Sequence, residues 1–455
     1  MPSDSSRDIT GEVALYIAKS GKQSLPETVI GKAKHHILDT LASIALGSTL
    51  KPGQVARRYA ESRRGEIAEA QVIGTPFLSS VVEAAFINGI MAHADETDDF
   101  DPRCRIHPGA AVIPAALAIA ERENANGMSF LRAVVTGYDI GCRILLALNP
   151  DSLLRANRVS FGIGGSFGAA VAASSILGLN DSQVRYVLSY TAQQVSGMPY
   201  WARDEEHIEK AFLFGGIPAR DGVTAAMLVN AGFTGVSDSL SGENNFFIST
   251  SPDSRPELLL QGLGSRYEIM NVYIKKFPVG GPIQAALDAL LLLIEKHSLK
   301  STDVETIIVH IPSSRVVNDR DMPDINLQYL LASTLLDGKL TTEAAHSYKR
   351  MNNPDILELK KRVLLKEDTN LSVPGAMRQA RVEVVAKDGS TFKEHVVHVR
   401  GAAQNPMTTG EVEKKCNELM EPVIGTERTQ QLIERVWNLE RVRSMRELRP
   451  LLNVP

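Results

Sequence analysis

The sequence predicts an α+β protein that is mainly α: a large all-helical domain formed by residues 1–266 and 404–455, with a smaller α/β domain, 267–403, inserted into it. Three observations predict this. Hydrophobic residues make up 44% but aromatics only 5%, so the apolar material is largely Ala, Val, Ile and Leu, which suits closely packed helices better than a β-sandwich. From about residue 8 to residue 265 the apolar residues recur at helical spacing, whereas alternation and a hairpin signal appear between 267 and 403. At 455 residues the chain is also too long for one ordinary core.

The elements follow in order. Ser24-Leu25-Pro26-Glu27 reads as a capping-box start, Val29, Ala33, Ile37, Leu41 and Ile44 form one apolar stripe, and Gly47 reads as a stop just past the helix end. Helices are expected at roughly 79–92, 109–122, 128–147, 166–177, 181–196 and 218–231, with Asn180-Asp181-Ser182 marking a clear start. The small residues from Gly164 to Ala170 let helix axes approach closely, or let a backbone approach a ligand.

In the inserted domain, Tyr267 to Phe277 and Val304 to Ile311 alternate and carry β-branched residues. Arg381–Ala386 and His395–Val399 flank the Lys387-Asp388-Gly389-Ser390 turn, a hairpin signal. Helices are expected between these strands at about 281–296, 326–336, 340–347 and 354–365, and the chain is helical again after Asn405-Pro406.

Several function classes recede. The net charge of −4 is unsuited to nucleic acid, which demands a basic face. The N-terminal stretch MPSDSSRDITGEV lacks the basic and apolar regions of a secretory signal, and no window has the 18 to 20 uninterrupted apolar residues of a membrane span. Cys104, Cys142 and Cys416 lie far apart, against a zinc ribbon, a disulfide framework or a cluster held by three thiolates. The expected compartment is the cytoplasm. A dinucleotide loop, a P-loop and a G-x-S-x-G elbow are all missing, so no nucleotide cofactor and no serine hydrolysis are expected.

The stretch 93–108, HADETDDFDPRCRIHP, carries the chemistry. It crowds Asp95, Glu96, Asp98, Asp99 and Asp101 between His93 and His107, with Arg103 and Arg105 beside the second histidine. Crowded carboxylates repel one another and push some pKa values up, as general acid–base work requires. His107-Pro108-Gly109 then opens an apolar helix whose N-terminus suits an anion. A solvated acidic capping loop is the bland alternative, but the flanking segments are apolar and set the loop at the edge of a core. Metal binding is not supported, since neither an EF-hand loop nor H-E-x-x-H occurs.

Lys210 enters an apolar, glycine-containing stretch, which suits either a lowered pKa or a hold on a carboxylate; the bland reading is a surface lysine. KKFPVGGPIQAALDA at 275–289 sets two lysines before a helix start, a weaker signal by itself.

Taken together, AHADETDDF…HPGAAVIPAALA, SFGAAVAASSILGLND, EKAFLFGG, KKFPVGGPIQAALDA and LDGKLTTEAAH resemble the MmgE/PrpD family across nearly the whole chain. The family includes 2-methylcitrate dehydratase, cis-aconitate decarboxylase and iminodisuccinate epimerase. The resemblance implies a helical domain with an α/β lid, a cofactor-independent active site in the cleft between them, and a homodimer. Of the family's His-x-x-Asp-x-Asp-Asp-Thr, this chain has His93, Glu96, Asp98 and Asp99, with Phe100 in place of Thr. The following histidine is His107, the lysine is Lys210 and the lid tyrosine is Tyr329. Two matches fail: the family's histidine before the FGAA helix falls in Arg158-Val159-Ser160-Phe161-Gly162, and its lid histidine is Gln284.

The expectation is thus a lyase or isomerase that moves a proton at a carbon α to a carboxylate of a small di- or tricarboxylate, without metal or cofactor. Lys210, with Lys275 or an arginine of the Arg103–Arg105 pair, would bind carboxylates. His107 would move the proton, and Glu96 or Asp99 would orient it. Asp98, Phe100, Gln284 and Tyr329 would contact substrate. Dehydration, epimerisation of an iminodisuccinate-like acid, and a non-catalytic binding protein on the same fold are the competing readings.

Overall fold

A computed structural model describes residues 7–63 and 67–453. The first six residues of the stretch read for a secretory signal lie outside the described residues. The chain divides into two compact units: Met1–Ala94, Asp98–Val272 and Thr409–Pro455 form the first, and Asp95–Thr97 with Tyr273–Thr408 form the second. The fold is mainly helical, with a small mixed sheet.

The first unit is a packed set of helices whose starts are written in local chemistry. Ser80 accepts from the Glu83 amide to begin Val81–Ala92, and Asn126 caps Gly127–Leu148 in the same way. Asp181–Gln194 begins at the start that Asn180-Asp181-Ser182 marks in the sequence, and Asn180 and Gln183 form a reciprocal capping box at its head. Ser160–Leu177 begins six residues earlier than expected and ends on Gly178 in the left-handed conformation. It lies against Gly127–Leu148 so closely that a Cβ on Gly168 would sit 2.8 Å from the Gly137 carbonyl oxygen. The small-residue run therefore serves helix–helix approach.

Ser160–Leu177 and the continuous stretch Ile208–Asn230 are long and apolar enough, by composition, to cross a membrane, but 78% and 61% of their 18-residue apolar windows are buried inside the protein. The C-terminal return is tied in by a buried pair, Lys415 Nζ to Asp39 at 2.5 Å.

Two local expectations at the second helix are corrected. Glu27–Gly47 starts after Pro26, with no side-chain cap from Ser24. A residue before proline is kept out of the helical region, so Leu25 cannot open the helix and the start moves past Pro26. Gly47 is the last helical residue, not a left-handed stop. Its missing side chain answers a different need, because a Cβ there would lie 1.9 Å from the Met91 carbonyl oxygen.

The expected strand at Tyr267–Phe277 does not form a ladder. Glu268–Asn271 is a short 3-10 turn in the first unit. The Glu268 amide donates to Asp139, and its buried carboxylate accepts from Arg103 and Arg266. Side chains thus satisfy groups that a sheet would otherwise pair.

The second unit is built on a four-stranded sheet. Val363–Glu367 lies parallel to Val304–Ile311, which pairs antiparallel with Ala380–Ala386, which in turn pairs with Thr391–Val396. Val304–Ile311 is the strand the sequence predicts, and the hairpin closes through Gly389 at φ +88°. Its second strand lies earlier than the predicted 395–399. Val304, Ile307, Val309, Val382 and Val384 form the buried face with Leu287 and Leu290 of the helix Gln284–His297. Each such aliphatic side chain contributes about 1.5–3 kcal/mol by burial. The helix predicted at 354–365 ends at Lys360, and the residues after it pair as a strand instead.

Candidate active site

The helix Val81–Ala92 stops at His93, and the helix Pro108–Arg122 starts at His107. Both imidazoles are buried. Asp98 joins them: His93 Nδ1 donates to Asp98 Oδ2 at 2.9 Å, and His107 Nδ1 donates to Oδ1 at 3.1 Å. An ionised carboxylate only accepts, so each ring carries its proton on Nδ1 in these bonds. That fixes ring orientation and tautomer. The two rings meet edge to face, with centroids 4.6 Å apart. Burial holds the His93 pKa well below its ordinary value, against the opposing pull of Asp98, so this ring is neutral at pH 7.

Aromatic side chains enclose the pair. Phe214 stacks on His93 at 4.7 Å and lies 5.7 Å from His107. Phe161 stacks on Phe214 at 3.9 Å, and Phe100 lies 4.9 Å from His107. The stretch where the family's histidine is missing therefore supplies Phe161, an apolar ring.

Lys210 is buried, with Nζ 5.4 Å from the Trp201 ring centroid and 5.5 Å from that of Phe214. Such faces attract an ammonium through their quadrupoles while offering it little hydration. Phe214 is thus a common neighbour of His93, His107 and Lys210.

Backbone geometry sets this arrangement. Lys210 lies on the short helix Ile208–Ala211, which runs through a π-helical turn, Phe212–Gly216, into Ile217–Asn230. The turn crosses Val81–Ala92 at two glycines: a Cβ on Gly215 would lie 2.0 Å from the Gly89 carbonyl oxygen, and one on Gly89 would lie 2.4 Å from that of Gly215. Only glycine permits that approach. It brings the Phe214 ring beside His93 at the helix end.

Asp99 is a correction. It was expected to assist His107, but its buried carboxylate accepts from His36 Nδ1 (2.7 Å), Tyr138 Oη (2.7 Å) and the Gly109 amide (2.9 Å). The N-terminus of Pro108–Arg122, expected to suit an external anion, is thus served by the chain's own carboxylate. Burial, with Lys32 nearby, brings the His36 pKa down to about 4, so this ring is neutral at pH 7. The carboxylate beside His107 is Asp98.

The remaining expected residues are placed as follows. Arg103 pairs with Asp101 at 2.5 Å and Glu268 at 2.8 Å, and Arg105 pairs with Asp151 at 2.6 Å, so both guanidinium groups already meet carboxylates of the chain. Glu96 belongs to the second unit, where Lys275 Nζ donates to its carbonyl oxygen at 2.8 Å and lies 3.6 Å from its carboxylate. In the same unit Asp95 accepts from His346 Nε2 at 2.8 Å. Gln284 accepts from the Phe277 amide and donates to the carbonyls of Phe277 and Val279, shaping the loop before its own helix. Tyr329 donates to the Ala344 carbonyl.

By ligand type and distance, His93, Asp98 and His107 could hold a metal ion, as could Asp101, Cys104 and Cys142. In the first set the hydrogen bonds described already engage both Nδ1 atoms. In the second, burial pushes the Cys104 thiol well above its ordinary pKa, keeping it protonated and a poor ligand.

Comparison with known proteins agrees with this architecture. The sequence model of the MmgE/PrpD N-terminal domain matches residues 11–259, and that of the MmgE/PrpD C-terminal domain matches 277–439. Cis-aconitate decarboxylase of Homo sapiens is 27% identical over 472 residues, covering 99% of this chain and 95% of its own. The cis-aconitate decarboxylase-like protein oryM of Aspergillus oryzae is 23% identical, covering 98% and 97%. Cis-aconitate decarboxylase of Aspergillus terreus is 22% identical, covering 100% and 97%.

Proposed function

On the premise that the chain belongs to the MmgE/PrpD family and is a lyase, we propose that it decarboxylates a small unsaturated tricarboxylate of the cis-aconitate class, with His107 handling the proton and Lys210 holding a carboxylate. The observation that carries this reading is the Asp98 carboxylate shared by His93 and His107, with Lys210 around the same Phe214 ring.

The chemistry sets three demands. The bond to the departing carboxylate breaks, carbon dioxide leaves, and its electron pair stays on the substrate carbons next to a remaining carboxylate. A cation close to that carboxylate lowers the energy of the developing charge, most effectively where water is excluded. Lys210, set among aromatic faces, meets this demand. A proton must then reach carbon. In its protonated form His107 gives the Nε2 proton to carbon while Asp98 stabilises the ring through Nδ1, and the ring regains its proton from water. His93, held neutral by burial, keeps the other Asp98 oxygen occupied and the carboxylate fixed.

The test is incubation of the purified protein with cis-aconitate in D₂O. Carbon dioxide release with one deuterium on a product carbon is expected. Deuterium exchange without carbon dioxide would replace decarboxylation by isomerisation. Absence of both carbon dioxide release and deuterium incorporation would refute the reading.

A further inference from the structure

His207 is the buried imidazole that the proposed mechanism does not use. It lies three residues before Lys210, is 4% exposed, and its ring centroid is 5.2 Å from that of His93. Its backbone sits at φ +60°, a left-handed conformation rare outside glycine, at the start of Ile208–Ala211. The turn is held from outside the ring: Asp204 accepts from the amides of Glu206 and Lys210. The chain thus fixes the backbone and points the imidazole inward.

Neither ring nitrogen has a hydrogen-bond partner among the described residues. This differs from His93, whose Nδ1 is tied to Asp98 and whose neutral ring leaves a bare acceptor at Nε2. An imidazole always carries at least one N–H, so His207 always presents a buried donor with no acceptor. Buried donors are almost always satisfied, and an exception beside a cluster of functional type calls for an absent partner. That partner must be an acceptor, small enough to enter the ring cluster and compatible with the Lys210 ammonium on the same helix.

We infer that His207 is a substrate-contacting residue, whose ring N–H donates to a carboxylate of the bound polycarboxylate. The inference rests on the proposed function for the class of ligand, but not for the reaction. It also gives this chain an imidazole at the site from a position outside the motif residues His93 to Phe100, where Arg158–Gly162 supplies none.

Binding and turnover are measured separately. Citrate binding is followed by calorimetry for the wild type, His207→Asn, which tolerates the left-handed backbone, and His207→Phe, which keeps a ring without an N–H; circular dichroism checks each fold. The affinity should fall roughly 10- to 100-fold in both, the effect of losing one hydrogen bond to a charged group. The histidine ring resonance missing from the Asn variant's spectrum should be one that shifts in the wild type when citrate is added. An unmoved resonance, or variants binding within twofold of wild type, overturns the inference. A shifted resonance in a protein that leaves cis-aconitate intact removes the decarboxylation reading and supports the His207 contact.

Discussion

Asp98 accepts the Nδ1 proton of His107 at 3.1 Å while its other oxygen is held by His93. One carboxylate thereby orients two buried rings. Asp98→Asn keeps the shape but offers a single acceptor oxygen, so one ring must face an amide N–H and change tautomer. Turnover should fall about 10²- to 10⁴-fold, with about 1–3 kcal/mol lost from the first unit for the unmatched donor. Steady-state kinetics with cis-aconitate and a thermal melt check both; unchanged kcat would remove Asp98 from the mechanism.

His107→Ala should lower kcat by about 10²- to 10⁴-fold while citrate still raises the melting temperature, because binding does not require the proton. Retained turnover would assign the proton to another group.

Lys210→Met preserves length and packing between Trp201 and Phe214 but deletes the charge. The ligand-induced rise in melting temperature, which follows RT ln(1 + [L]/Kd), should shrink or vanish, and KM should rise at least tenfold. A variant with wild-type KM would mean that Lys210 serves only packing.

The His346–Asp95 pair makes the second unit pH-dependent. Burial opposes the charge on His346, but the hydrogen bond and charge of Asp95 outweigh it and raise the imidazole pKa from 6.5 to about 9. Asp95 is lowered: burial opposes, and the His346 hydrogen bond prevails. The histidine's contribution is therefore fully present below pH 6.5 and is lost as pH rises through about 9. The aspartate's is present above about 4 and lost as pH falls further. The rise to about 9 corresponds to roughly 3 kcal/mol for the pair. His346→Gln should destabilise the protein at pH 7 and much less at pH 10, as urea melts would show; equal losses at both would contradict the ion pair.

Gly215→Ala would place a methyl 2.0 Å from the Gly89 carbonyl oxygen. Forcing the helix and the π-turn apart should cost about 1–3 kcal/mol and lower kcat by moving Phe214. Denaturant melts and kinetics on the same sample test the linkage.

Much of the helical unit was legible because its signals are local. Ser80, Asn126 and Asn180 cap helices within three residues of themselves, and apolar spacing supplies the rest. Val363–Glu367 was not legible: its residues suit a helix, and only pairing with Val304–Ile311 makes them a strand. The site was half legible. His107 and Lys210 stood out by composition, but Asp98 and Asp99 are chemically identical, and only loop direction separates them. His36 and Tyr138, the partners of Asp99, looked like ordinary residues of amphipathic helices. His207 was hidden among exposed glutamates, and its signal was a histidine at the point where an acidic run becomes apolar.

The adjacency of Asp98 and Asp99 has a consequence for how this loop can change. One aspartate faces two imidazoles; the next turns away to Tyr138, His36 and the Gly109 amide. Their difference is one of phase along the chain. Inserting or removing a single residue between His93 and Asp98 would move one aspartate into the other's environment and bring Thr97 or Phe100 into the one left behind, while leaving composition almost untouched. The loop should therefore tolerate substitutions on its outer side far better than any alteration of its count, and its length behaves as part of the chemistry.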